Sequence, residues 1–222
     1  MDWEKARFNM VEQQVRTWEV FDLRVLDTLM TVKRERFVPP QHRALAFADV
    51  EIPLPEGEQM LRPVVEAKAL QALMIQPNER ILEVGTGSGF FAACLAHLGG
   101  SVVTVERKGV LAEYAVRCLQ DQGVRNVEVM VGDGLVADDR AKWWQAGPYD
   151  VIVLTGGLRQ RPDHLLRYLK VGGRLLAFVG TEPVMEAVRF VCTAPGAYRA
   201  EGVFETVVPM LVEPTPALAQ AA

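Results

Sequence analysis

The strongest constraint on this chain is the stretch Ile81-Leu82-Glu83-Val84-Gly85-Thr86-Gly87-Ser88-Gly89-Phe90-Phe91. An apolar run leads to Glu83, three alternating glycines follow, and an apolar helical pattern begins at once. This order predicts a buried strand, a tight turn and a helix N-terminus. Glycine suits such a turn because a Cβ would obstruct both the reversal and the approach of a ligand to the backbone. The amides of the turn and of the first helical residues then point at whatever lies over the helix start.

The strand and helix alternation continues from there. Strands are expected at Arg80 to Val84, Ser101 to Glu106, Val127 to Val131 and Tyr149 to Thr155, and Gly172 to Val179 reads as a turn and a fifth strand. Helices are expected from Gly89 to Leu98, from Val110 to Gln122, and around His164 to Leu169. Short apolar strands separated by helices imply parallel strands buried on both faces. The fold class is therefore α/β, a doubly wound, mostly parallel Rossmann-like sheet.

Two appendages complete it. An N-terminal helical extension precedes the sheet, with Asp22 as an N-cap and Leu26, Leu29 and Met30 on one face. Pro39-Pro40 ends it. Pro53, Pro55 and Gly57 make the next stretch a constrained loop, and Pro63 opens a helix with Val65, Ala69, Leu70, Leu73 and Met74 on its apolar face. After Gly180, Met185 to Thr193 and Ala197 to Val212 read as an antiparallel strand pair joined by Pro195-Gly196. The expected organisation is an extension with a substrate loop over 1–62, a cofactor-binding domain over 63–212, and a disordered tail over 213–222.

Bulk properties narrow the function classes. The 222 residues are 50% hydrophobic, enough for one sizeable core. A net charge of -4 gives no electrostatic grip on nucleic acid. No apolar run approaches membrane-spanning length, and the first residues lack a secretory pattern. Cys94, Cys118 and Cys192 are isolated in apolar segments, which suggests reduced thiols and a cytoplasmic location. His42, His97 and His164 are scattered, so no metal site is expected.

In an open α/β sheet, ligands bind beyond the carboxyl ends of the strands. Three acids arrive there: Glu83, Glu106, and Asp133 in Val131-Gly132-Asp133-Gly134. Glu106 lies about twenty residues past the glycine turn, where a carboxylate accepts from ribose hydroxyls. Asp133, flanked by glycines, can accept from an adenine amino group. Asp150 stands at the start of its strand and reads as structural. A dinucleotide turn wants G-x-G-x-x-G, but here the third glycine comes one residue early and Phe90 takes its expected place. Glu83 is awkward beside a pyrophosphate and suits a cationic ligand. A dinucleotide or a purely structural turn remain the alternatives.

The E-x-G-x-G-x-G form resembles the first motif of S-adenosylmethionine (SAM)-dependent methyltransferases. Nearly the whole chain resembles the protein-L-isoaspartate O-methyltransferase family. The matching pieces include Met10-Val11-Glu12-Gln13-Gln14, Arg36-Phe37-Val38-Pro39, Ala46-Phe47-Ala48-Asp49, Val103-Thr104-Val105-Glu106-Arg107, Pro148-Tyr149-Asp150 and Leu169-Lys170-Val171-Gly172-Gly173-Arg174-Leu175. The resemblance implies SAM as cofactor and S-adenosyl-L-homocysteine as product. The cofactor set it implies is Glu83, Gly85, Thr86, Gly87, Ser88, Gly89, Glu106, Arg107, Asp133, Gly134 and Thr155.

One departure bears on the substrate. The family carries Thr-Ile-Ser in the loop before the first core helix, where this chain has Gln59-Met60-Leu61. Both hydroxyls are gone. Arg62, beside the altered triplet, is a candidate carboxylate donor. No residue is assigned as catalytic, because an ionised carboxylate attacks a sulfonium methyl group without a general base. Three functions follow: methylation of L-isoaspartyl residues in proteins or peptides, methylation of a different and possibly small-molecule acceptor, or SAM binding without isoaspartyl activity. The sequence gives no oligomeric state.

Overall fold

The computed structural model describes residues 2–213. Asp2 caps α1 (Trp3–Asn9), with Oδ1 accepting from the Lys5 amide at 3.1 Å. The helix continues through a π-helical turn, Met10–Val15, whose Met10, Val11 and Val15 are buried. The Asp22 carboxylate accepts from the Arg24 amide at 2.9 Å and starts α2 (Leu23–Thr31). This satisfies one of the donors that a helix start leaves without a partner. Leu26 and Leu29 are buried as their spacing requires, and Met30 is half-buried.

Two short strands, β1 (Ile52–Pro53) and β2 (Gln59–Met60), pair antiparallel across the turn Pro55–Gly57. Helix α3 (Pro63–Leu73) follows, opened by proline at its first position. Seven further strands form one sheet: β3 (Arg80–Val84), β4 (Ser101–Glu106), β5 (Val127–Val131), β6 (Tyr149–Leu158), β7 (Leu169–Thr181), β8 (Val184–Ala194) and β9 (Ala197–Glu205). Their order is β5-β4-β3-β6-β7-β8-β9. The first five are parallel and the last two add antiparallel.

The central strands are buried on both faces while the edge strands β5 and β9 are half-buried or exposed, and the two covers differ. Ile81, Val102, Val151, Val153, Leu176 and Phe178 pack in one core with the N-terminal extension, α3, α4 (Phe90–Leu98) and α5 (Gly109–Asp121). Leu82, Val84, Val103, Val105, Ile152 and Leu154 form the other core. That core is covered by the four-residue α6 (Lys142–Gln145) and a 3-10 turn, Asp163–Tyr168. Trp144 and Tyr168 stack there with centroids 4.0 Å apart, so two large rings do the covering that a full helix does opposite.

The second cover departs from the sequence pattern. The helix expected around His164 to Leu169 is the 3-10 turn, and Leu169 already begins β7, paired with Tyr149. Gly172 and Gly173, expected as a turn before the strand, lie within β7. A Cβ on Gly173 would come 2.9 Å from the Tyr149 carbonyl oxygen, so the irregular pairing there needs glycine.

The C-terminal segment differs more. The strand expected to run to Val212 ends at Glu205, and residues 206–213 leave the sheet edge. They cross to β6, where the Gly157 amide donates to the Pro209 carbonyl (2.8 Å) and the Leu211 amide to the Gly157 carbonyl (2.9 Å). The tail expected to be disordered over 213–222 lies outside the described residues except for Glu213. That residue is placed, its carboxylate accepting from the Arg159 amide at 2.7 Å.

Asp150 is structural, as its position at a strand start predicts. It pairs with Lys170 at 2.7 Å and accepts from the Arg80 amide at 2.8 Å. Arg174 ties β7 to the end of α3. It donates to the Leu73 carbonyl at 2.5 Å and meets both oxygens of Glu79 at 2.5 and 2.7 Å. Replacement by methionine leaves Glu79 and the Leu73 carbonyl without these donors. Arg174→Met is expected to cost about 2–3 kcal/mol. Urea unfolding measures it, and a loss below about 0.5 kcal/mol would show that water serves these groups equally well.

Candidate functional site

Strand β3 lies between β4 and β6, so the chain leaves its carboxyl end in opposite directions at this point of the sheet. The glycine turn sits there. Gly85 adopts φ +97, and a Cβ on it would overlap the Thr155 hydroxyl at the corresponding level of β6. Thr155 Oγ1 in turn lies 2.9 Å from the Val84 carbonyl oxygen and 2.6 Å from that of Gly85. Gly89 packs against α5, with Ala115 Cβ 3.2 Å from where its own Cβ would be. It seats helix α4 and does not line the cleft.

Beyond the turn is a cleft with about 760 Å³ of empty space, its open mouth included. Glu106 and Asp133 stand on one wall, and Gly85, Gly87 and Thr155 form its floor. Glu106 Oε2 accepts from the Gly87 amide and Oε1 from the Lys108 amide, both at 3.0 Å. Each oxygen keeps acceptor capacity after its one bond. Asp133 Oδ1 accepts from the Leu135 amide at 3.0 Å, which orients its carboxylate at the strand end. A Cβ on Gly134 would come 2.8 Å from Val84 Cγ1, so glycine lets this segment close onto β3. Arg107 stands at the rim, where Nη1 reaches the Val212 carbonyl at 3.5 Å.

Glu83 does not face the open cleft. It is 0% exposed beneath the turn, and Oε2 accepts from Thr104 Oγ1 at 2.5 Å. Thr104 also meets the Thr86 hydroxyl at 2.7 Å. Glu83 Oε1 is buried without a hydrogen-bond partner among the described residues. Burial raises its pKa well above the usual carboxylate range, the Thr104 bond opposes this, and the charges of Glu106 and Glu66 add to the rise. A buried, unpartnered carboxylate oxygen under a ring of amides fits a ligand that brings positive charge.

The loop Gln59-Met60-Leu61 borders the same turn. With Glu66, Thr86 and Ser88 it lines a smaller cavity with about 290 Å³ of empty space, its mouth included. Met60 and Leu61 are buried, and Gln59 is exposed at the cleft rim. Arg62 turns away: Nη2 donates to Thr206 Oγ1 at 3.1 Å and to the Val207 carbonyl at 3.4 Å. The acceptor-side donor expected of Arg62 is therefore engaged in holding the C-terminal crossing segment.

Three contributors to the site were missed. Pro209 to Val212 form part of the cleft wall. Pro209 itself was the available signal, since proline inside an apparent strand argues against a continuing ladder. Lys108 pairs with Glu58 at 2.6 Å and donates to the Glu56 carbonyl at 2.6 Å, pinning the loop across the cleft. Glu66 carried no signal, because one glutamate on a helix reads as solvated. Among the described residues there is no cluster of three metal-ligating side chains and no helix long and apolar enough to cross a membrane.

A model of the family described as "Protein-L-isoaspartate(D-aspartate) O-methyltransferase (PCMT)" matches residues 6–206. The chain belongs to this family. It is 38% identical over 197 residues to protein-L-isoaspartate O-methyltransferase 1 of Rhodopseudomonas palustris strain HaA2, covering 88% of this chain and 78% of the relative. It is 40% identical over 171 residues to the protein-L-isoaspartate O-methyltransferase of Protochlamydia amoebophila, covering 77% and 79%. The fold agrees with a Plasmodium falciparum structure described as a putative member of the same enzyme class in complex with S-adenosyl-L-homocysteine. The TM-score is 0.81 at 16% identity, with 96% of this chain and 100% of the other covered.

The buried carboxylates of this family member set its pH response. A carboxyl whose pKa rises on folding stabilises the native state fully below its unfolded pKa, and that contribution is lost as pH rises through the folded value. Burial lifts Glu66 from 4.5 to about 7, against the opposing charge of Arg34, and Glu83 shifts in the same direction. Stability of the ligand-free protein is expected to fall as pH rises from about 5 to about 7.5. Urea unfolding across this range measures the slope. Glu83→Gln, which retains an acceptor for Thr104, should flatten it, and a wild-type stability that rises over the window would contradict the assignment.

Proposed function

We propose that this chain is a SAM-dependent carboxyl O-methyltransferase that methylates L-isoaspartyl residues of damaged proteins or peptides and releases S-adenosyl-L-homocysteine. The observation that carries this reading is the convergence of Glu83, Glu106 and Asp133 on the glycine turn, in a chain of this family. Glu106 is placed to accept from the ribose hydroxyls with the lone pairs its two amide bonds leave free. Asp133 and Gly134 would receive the adenine end. The turn Gly85, Thr86, Gly87 and Ser88 would border the methionine end, with Gly89 seating α4 behind it and Glu83 beneath it as counter-charge to a cationic ligand. Arg107 would border the site at the rim, and Thr155 would hold the turn in shape. When bound, SAM supplies an electrophilic methyl group.

The protein's own contribution is alignment and dryness. The acceptor carboxylate is ionised at neutral pH, with a reference pKa of about 4, so no residue has to remove a proton. What remains is to hold the acceptor in line and exclude competing water. Leu61, Val84, Val105, Leu111, Leu135 and Leu211 give the cleft apolar walls for this. We assign the acceptor loop to the extension over 1–62 and the cofactor groups to 63–212. Three free, buried cysteines support a reducing compartment and hence the cytoplasm.

A second reading rests on one observation. Met60 and Leu61 bring no hydroxyl to the cavity beside the turn, which favours a less polar, small-molecule acceptor. Incubation with labelled SAM and paired peptides, differing only in aspartyl versus isoaspartyl linkage, separates the two. Base-labile label confined to the isoaspartyl peptide is expected. Binding of SAM without any incorporation would overturn isoaspartyl methylation and turn attention to extracted small molecules.

The cofactor assignment has its own check. Glu106→Ala is expected to weaken SAM binding by about 1.5–3 kcal/mol, roughly tenfold to a hundredfold, in isothermal titration. Glu106→Gln, which retains one acceptor oxygen, should lose less. Unchanged affinity in the alanine variant would remove Glu106 from the cofactor set.

A further inference from the structure

The acceptor loop is held from inside the protein by one buried guanidinium. Arg34, in the 3-10 turn Arg34–Arg36, is 0% exposed and directs its donors three ways. Nε donates to the Ala46 carbonyl at 2.9 Å, Nη2 to the Leu61 carbonyl at 2.6 Å, and Nη1 pairs with Glu66 Oε2. Its face lies over the Phe90 ring, 4.8 Å from the centroid, at the first residue of α4. A single side chain thus links the N-terminal extension, the acceptor loop, α3 and the helix that leaves the glycine turn.

We propose that Glu66 is a positioning residue for methyl transfer: through Arg34 it fixes the main chain of the acceptor loop at Leu61. Glu66 is 2% exposed on the first turn of α3 and lines the small cavity shared by Leu61 and the glycine turn. Its carboxylate is the only acidic partner of Arg34 among the described residues. The start of α3 is fixed independently, since the Val64 amide donates to Asp49 Oδ1 at 3.1 Å. Glu66 therefore sits on a fixed element and sets where the guanidinium points.

The loop's composition makes this placement matter. Gln59, Met60 and Leu61 bring no hydroxyl to the acceptor, and Arg62 is engaged with Thr206 and Val207. The fixed polar groups left on the loop beside the turn are main-chain amides and carbonyls. Their position depends on the Leu61 peptide, and that peptide is held by Arg34. Well-packed apolar residues often replace a buried ion pair at little cost, so the Arg34–Glu66 charge pair by itself is weak evidence of a role in stability alone. The assignment rests on the reading above that this loop borders the methyl acceptor.

The test uses Glu66→Gln and the double variant Arg34→Met/Glu66→Leu. Thermal unfolding, SAM titration, initial rates on an isoaspartyl peptide and hydrogen exchange of the 58–62 amides are measured on each. In Glu66→Gln, SAM affinity is expected to hold while kcat/KM for the peptide falls roughly tenfold to a hundredfold and the 58–62 amides exchange faster. In the double variant the Ala46 and Leu61 carbonyls also lose their Arg34 donors, so the melting temperature is expected to fall below the wild-type value, while kcat/KM stays low and exchange stays fast. Recovery of kcat/KM together with stability would make the pair purely structural and overturn the proposal. A loss of SAM affinity equal to the loss in kcat/KM would assign Glu66 to the cofactor and also overturn it. If the wild type leaves isoaspartyl peptide unmethylated, the function proposed above fails. The exchange data then decide the loop's dependence on Glu66, and unchanged exchange in both variants refutes it.

Discussion

The approach of Gly85 to the Thr155 hydroxyl is the contact on which the rest of the site depends. It lies where the chain leaves the sheet in opposite directions, and no side chain larger than hydrogen fits between β3 and β6 there. Because Thr155 Oγ1 reaches the carbonyls of Val84 and Gly85, the floor of the cleft is made of backbone and one hydroxyl. Everything a ligand would meet above that floor is set by how the neighbouring strands end. Glu106 leaves β4 with a carboxylate oriented by two amides, and Asp133 leaves β5 oriented by one.

The acidic groups divide into two electrostatic kinds. Glu106 and Asp133 reach the cleft wall and are steered by main-chain donors. Glu83 and Glu66 lie below the turn, where desolvation raises the pKa of both and the Glu66 charge adds to the rise at Glu83. They differ in compensation, since Glu66 has Arg34 while Glu83 has one hydroxyl and an unpartnered oxygen. A cationic ligand above the turn offsets the second deficit and leaves the first pair free to serve the loop. Glu83 and Glu66 thus place buried charge directly beneath the glycine turn.

The C-terminal crossing segment adds a coupling that the sheet alone lacks. Residues 206–213 run from the β9 edge to β6, giving Gly157 its partners and Arg62 a hydroxyl and a carbonyl. One wall of the cleft therefore comes from residues 209–212, and the loop Gln59-Met60-Leu61 is tied to this segment through Arg62. The loop Gln59-Met60-Leu61 is consequently held on both flanks, by Arg34 inside and by the crossing segment outside, although its own side chains offer no hydroxyl.

Much of this was legible in the sequence. β3 and β4 begin and end where their apolar runs do, because strands inside a parallel sheet are mostly apolar and turn residues bound them, and the edge strand β5 keeps its bounds although it is only half-buried. The glycine turn was legible because its conformation excludes almost every other residue. The second sheet cover was not, because the rings of Trp144 and Tyr168 replace a helix that periodicity had suggested. The path of 206–213 was not either, since alternation predicts a strand and only contact with Gly157 makes it a crossing segment. Glu66 is the clearest case. The residue by itself predicts a solvated helix face, and only the fold places Arg34 against it in the interior, thirty-two positions away. By itself the sequence determined the sheet, the turn and the acids at the strand ends, because those follow from local backbone sterics and burial. The tertiary structure alone decided which charges pair and which wall closes the cleft, because those depend on residues far apart in the chain meeting where water is excluded.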